Sequence, residues 1–191
     1  MRLFKLAAIV SAFYLSGCAH QIQLNPKTDE FVQSSAKSDA TVGYHITDIQ
    51  REMKVTTPGG GGDKVTYTPY KDTETVLFQV LSNKFKDVFL VKSMSDETFI
   101  KENEIKLIFV PTITTNSSSS SMFTWAPTKF MVTLDVKAVD ASGNTVWEDS
   151  VYEEGNAEFN EFKSDFSLSA RRATEAAFLK LAEKLEQSDT F

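Results

Sequence analysis

The side chains able to do chemistry in this 191-residue chain are few and far apart. Its single cysteine is Cys18, and its two histidines are His20 and His45. A Ser-His-Asp arrangement would have to draw on His45, and no serine stands in the G-x-S-x-G turn that exposes a nucleophile. Zinc requires two to four Cys/His ligands at short spacing, and calcium an oxygen-rich loop that the scattered Asp135, Asp140, Glu148 and Asp149 do not supply. Glu153-Glu154 and Glu158 with Glu161 read as solubilising surface. The run Gly59 to Gly62 could offer backbone N–H groups to an anion, but a phosphate loop needs G-x-x-x-x-G-K-S/T between a strand and a helix. Here Asp63 and then a strand-like segment follow. The expectation is a chain with no catalytic set, no metal site and no cofactor, its glycine run being a flexible hairpin tip.

Cys18 closes a different pattern. Arg2 and Lys5 precede an uncharged apolar run, Leu6 to Leu15, which has the order of a secretory signal. The run is half the ~20 residues a membrane-crossing helix needs. A lone cysteine makes no internal disulfide, so the core alone must hold the fold. The stretch FYLSGCAH contains Leu15-Ser16-Gly17-Cys18, which resembles the lipobox of bacterial lipoproteins. That resemblance implies a diacylglyceryl group on Cys18, cleavage before it, and further acylation, by palmitate or a similar chain, of the new amino terminus. Several acyl chains, at ~0.8 kcal/mol per buried methylene, make a firm membrane anchor. The same resemblance reads Ala19, where aspartate would retain the protein at the inner membrane, as sorting to the outer membrane of a Gram-negative envelope, with the domain in the periplasm.

With Arg2 and Lys5 removed, 18 basic and 26 acidic side chains remain, a net charge of −8. Such a surface has no general attraction for nucleic acid or for anionic lipid. The expected organisation is a signal peptide over 1–17, a lipidated flexible tether over 18–40, and a single α+β domain over 41–191.

The elements follow from periodicity. Val42, Tyr44 and Ile46 alternate with Gly43, His45 and Thr47, predicting a strand over Thr41 to Val55 that forms a hairpin with Lys64 to Thr68 across the glycine run. Val76, Leu77, Val80, Leu81 and Phe85 form a helical stripe over Asp72 to Lys86, with Asp72 or Thr73 as N-cap. Asp87 to Lys92 and Glu104 to Thr115 read as strands, the latter with Pro111 at an edge or bulge. Asn116 to Ser121 reads as a loop. Phe130, Val132, Leu134, Val136 and Ala138 alternate with polar residues in the clearest strand, Thr128 to Asp140, which turns at Ala141 to Asn144 into Thr145 to Glu153. Glu158, Phe159, Phe162 and Phe166 make an aromatic, acidic linker before a helix over Ser167 to Gln187. The predicted architecture is a two-layer α+β domain, a mostly antiparallel sheet packed against two helices.

This element order, with TPYKDTETVLFQVLSNKF in its first helix and GNTVWEDSVYEEG before its last, resembles the YajG-type lipoproteins of the Gram-negative envelope. Two related groups share this arrangement: the lipoprotein that plugs the lipopolysaccharide-inserting barrel, and auxiliary lipoproteins of transport or polysaccharide-export assemblies. Both bind a protein or a lipid and catalyse nothing, so the expectation is a non-enzymatic accessory or assembly component that meets an envelope protein at a sheet edge. The apolar tip Met122, Phe123 and Trp125, between two strands and beside the serine run, is the candidate partner contact, with folding-back of Phe123 and Trp125 onto the domain as the other possibility. The alternative function is a lipid or glycolipid carrier whose sheet and helices enclose an apolar groove.

Overall fold

A computed structural model describes residues 19–27, 37–161 and 165–191. The fold is α+β. Its strands are β1 (Ala19–Gln21), β2 (Ser38–Tyr44), β3 (Val55–Pro58), β4 (Lys64–Tyr67), β5 (Phe85–Leu90), β6 (Leu107–Ser118), β7 (Lys129–Asp140) and β8 (Thr145–Asn156). Its helices are α1 (Asp48–Arg51), α2 (Pro69–Lys84), α3 (Glu97–Glu102) and α4 (Leu168–Gln187).

The strands form two sheets rather than one, and both are mixed. The larger has the order β5-β2-β6-β7-β8, with β2 parallel to β5 and β6 and the rest antiparallel. The smaller has the order β1-β4-β3, β1 running parallel and β3 antiparallel to β4. Crossovers through α2 and α3 separate β2 from its parallel neighbours, which is why local hairpin reasoning misses these pairs.

The alternation in β7 works as expected: Phe130, Val132, Leu134, Val136 and Ala138 are all buried. Opposite them lie Val76, Leu77, Val80 and Leu81 of α2 and Ala170, Ala173, Ala177, Phe178, Leu181 and Leu185 of α4. The small residues of α4 let it approach β8 closely. A Cβ at Gly155 would stand 2.0 Å from Ser169 O and 2.4 Å from Ala173 N, so glycine is required there by contact. Beyond the pair Tyr44↔Phe109, β6 has no β2 partner, and Pro111 occupies that open side.

Several boundaries shift. The stretch read as one strand from Thr41 to Val55 is broken by α1, where Thr47 and Gln50 form a capping box. Helix α2 begins at Pro69 instead of at an Asp72 or Thr73 cap, because proline fits the first helical position. Phe85 is the first residue of β5, and the serine run is partly strand, since β6 continues to Ser118. The tether expected over 18–40 is corrected for its first part: Ala19–Gln21 is a strand, and Ile22 and Leu24 lie in the core. Leu24 N donates to Asp72 Oδ2 at 3.1 Å, tying this segment to the first turn of α2.

Candidate functional site

One end of the molecule gathers the start of β1, the glycine turn, the loop between β6 and β7, and the segment before α4. The glycine turn between β3 and β4 is closed by Gly59 N donating to Asp63 O at 2.9 Å, with Gly61 and Gly62 in the left-handed region at φ 64° and 90°. Gly60 N donates to Trp125 O at 2.9 Å. Side chains at Gly59 and Gly60 would run into Trp125 O and Thr124 O, at 2.3 and 2.0 Å. The turn read as a flexible tip is therefore fastened along the neighbouring loop.

That loop is shaped by its own hydroxyls. Ser119 Oγ accepts from Ser121 N at 3.2 Å, Ser121 Oγ from Phe123 N at 3.2 Å, and Thr124 Oγ1 from Ala126 N at 3.1 Å. Its far side is moored where Ser169 Oγ donates to Pro127 O at 2.8 Å and Ala126 is buried against Ala157 and Leu168. Trp125 turns inward: its ring lies 4.2 Å from that of His20 with planes 14° apart, and 4.7 Å from that of Phe166. His20 Nε2 is 3.5 Å from Asp63 Oδ2. The two readings of the tip thus divide between residues, because Met122 and Phe123 project with 81% and 90% of their surface exposed.

Between these parts lies an open cleft of about 550 Å³, walled by Gly61 and Asp63, by Met122 to Trp125, and by Phe159 and Phe166. Half of its eight lining residues are aromatic, and one is a carboxylate. Leu15, Ser16, Gly17 and Cys18 lie outside the described residues, as does Phe162. Residue 18 is nonetheless bonded to Ala19, which pairs with Lys64 at the root of the glycine turn.

The remaining polar clusters hold the fold. Thr57, Tyr67, Thr115 and Ser117 share hydroxyl contacts of 2.6 to 3.3 Å that pin β3 and β4 to β6, with no base among them. His45 Nδ1 donates to Val91 O at 2.7 Å, fixing the ring at the end of β5. Arg51 grips Glu74 through Nε at 2.7 Å and Nη2 at 2.8 Å, and Tyr44 OH donates to Glu74 Oε1 at 3.1 Å. These bonds, Arg51 foremost, hold the Glu74 carboxyl below its ordinary range. Burial, then the Glu74 charge, pushes the Tyr44 phenol up to about 12. Glu161 accepts from both Nη atoms of Arg172 and from Glu158 N, and is drawn down to about 2. Among the described residues no three His, Cys, Asp or Glu side chains converge as metal ligands, and no helix is long and apolar enough to cross a membrane.

Neither family models nor curated proteins match this sequence. Solved structures resemble it in shape. A candidate neuraminyllactose-binding hemagglutinin homolog from Helicobacter pylori aligns at 14% identity and TM-score 0.48, covering 88% of this chain and 93% of that one. A variant PelC dodecamer from Paraburkholderia phytofirmans gives 12% and 0.46, covering 83% and 96%. A candidate lipoprotein from Caulobacter crescentus gives 11% and 0.38, covering 75% and 87%. At these levels no residue role carries over.

Proposed function

We propose that the chain is a non-enzymatic, lipid-anchored accessory protein of the outer membrane, held by acyl chains on Cys18, whose periplasmic domain meets an envelope protein along a sheet edge. The observation that carries this reading is β8. It is the last strand of the larger sheet, 12 residues long, and its outer edge has no strand partner among the described residues. An open ladder of N–H and C=O groups is a template for an added strand. Of its acidic side chains, Glu148, Asp149 and Glu154 are held by Lys137, Lys184 and Lys129, so the backbone ladder rather than side-chain charge is what this edge offers a partner.

The carrier alternative fits less well. The space between the larger sheet and helices α2 and α4 is filled by Phe85, Phe109, Phe130, Phe178, Leu77, Leu81, Leu181 and Leu185, all buried. An acyl chain would find no room there without displacing core side chains.

Two measurements test the reading. Mass spectrometry of the amino-terminal peptide should find an acylated Cys18; an unmodified chain beginning at Met1 would sink the anchor. A photo-crosslinking residue in place of Tyr152 on β8 should capture one discrete envelope protein that the same residue in place of Lys101 on α3 does not. Equal capture, or none, defeats the edge contact.

A further inference from the structure

We infer that the end of the domain bearing Met122, Phe123, Phe159 and Phe166 lies on the phospholipid bilayer itself; this rests on the acylation of Cys18 proposed above. Residue 18 is joined directly to Ala19, and consecutive Cα atoms stand about 3.8 Å apart. Ala19 is already in the smaller sheet, paired with Lys64, and His20 is stacked on Trp125. No slack separates the anchor from the domain, so the surface beside residue 18 must face the membrane that holds it.

That surface is suited to the role. Met122, Phe123, Phe159 and Phe166 are 81%, 90%, 59% and 45% exposed and border one cleft. Behind them Trp125, stacked between His20 and Phe166, backs the cleft. A domain with a net negative charge is repelled by anionic lipid unless the end it presents is neutralised. Two of the carboxylates at this end have cationic partners: Glu161 holds Arg172 and Asp165 pairs with Arg171, while Asp63 lies 3.5 Å from His20 Nε2. Strands β6, β7 and β8, each 12 residues long, all meet this end at Ser118, Lys129 and Asn156. At about 3.3 Å per residue they carry the turn at 141–144 roughly 40 Å from the bilayer.

The test uses the full acylated chain in vesicles of phosphatidylethanolamine with a minority of phosphatidylglycerol. An acylated Cys18 is a thioether and leaves a single reactive thiol in Phe123→Cys, or in Ser150→Cys on the polar face of β8, to carry a bimane dye. The dye at position 123 should be blue-shifted and quenched several-fold more by brominated phospholipid than by aqueous iodide, with the reverse order at position 150. Equal iodide quenching at both positions in vesicle-bound, acylated protein overturns the inference. So does a blue-shifted dye at 123 that brominated lipid fails to quench, which would assign the cleft to the protein's own acyl chains or a second copy. Two dyes per chain and no flotation with vesicles would overturn the anchor reading and this inference with it.

Discussion

The imidazole of His20 lies flat on the indole of Trp125, joining β1 to a loop more than a hundred residues later. This stack, with three strand pairs and the Leu24–Asp72 hydrogen bond, is what holds β1 against the domain.

Trp125→Ala is expected to cost about 1 kcal/mol of stability, the scale of an aromatic pair beyond its simple burial. The loss should be local. Hydrogen exchange at Ile22 N, which donates to Thr66 O at 3.0 Å, should accelerate while amides of β7 keep their protection. Trp125→Phe should restore most of it. Uniform acceleration across both sheets would show that Trp125 supports the core rather than β1.

Gly155→Ala places a methyl group into the backbone of α4 at Ser169 and Ala173. Neither neighbour is a flexible side chain, so strand and helix must separate, at a cost of roughly 3 kcal/mol. Urea unfolding should show a lower midpoint with an unchanged slope. A midpoint within error of the parent would mean that α4 shifts freely on β8.

The Tyr44–Glu74–Arg51 group predicts opposite behaviour at the two ends of the pH scale. Tyr44 is raised from 10.0 to about 12, so its stabilising contribution is full below pH 10 and is lost as pH climbs through 12. Glu74 is lowered from 4.5, so its contribution is full above that value and fades as pH falls through its depressed range. Tyr44→Phe should remove one phenol from the high-pH titration at 295 nm, and Glu74→Gln should flatten the acid limb of the urea midpoint. Unchanged curves would show that these groups are solvated independently.

Glu161 ties the segment after β8 to α4 through Arg172. Because its carboxyl is held at about 2, the tie persists on acidification past the ordinary carboxylate value of 4.5 and opens as pH nears 2. Glu161→Gln should speed limited chymotrypsin cleavage at the already exposed Phe159 at neutral pH, by loosening the segment that carries it. Resistance equal to the parent would place the restraint elsewhere, in Arg172's bond to Asn156 O at 2.7 Å.

The parts of the fold legible in the sequence are those governed by one face of one element. The alternation of β7, the stripe of α4 and the open side of β6 at Pro111 need no knowledge of distant neighbours. What was hidden depends on partners remote in sequence. Ile22 and Leu24 alternate, but in a polar stretch whose pairing with β4 spans more than forty residues. Thr47-Asp48-Ile49-Gln50 carries a capping-box pattern, masked by the strand alternation running into it. The four glycines look alike in sequence, yet Gly59 and Gly60 answer to close approach and Gly61 and Gly62 to backbone angle. At the candidate site composition marks the apolar tip but leaves open which of its rings face solvent; Trp125's inward turn depends on His20 and Phe166 in place.

The parallel pairing of β1 with β4 also sets a height. On the proposed acylation of Cys18, a docked β1 leaves the domain no farther from the membrane than the peptide link to residue 18 allows. If β1 and the segment to Lys27 detached, that stretch would add about 30 Å of extended chain. Such detachment would also withdraw Ile22 and Leu24 from the core they share with the larger sheet. A three-residue strand thereby separates two elevations of one domain above its support.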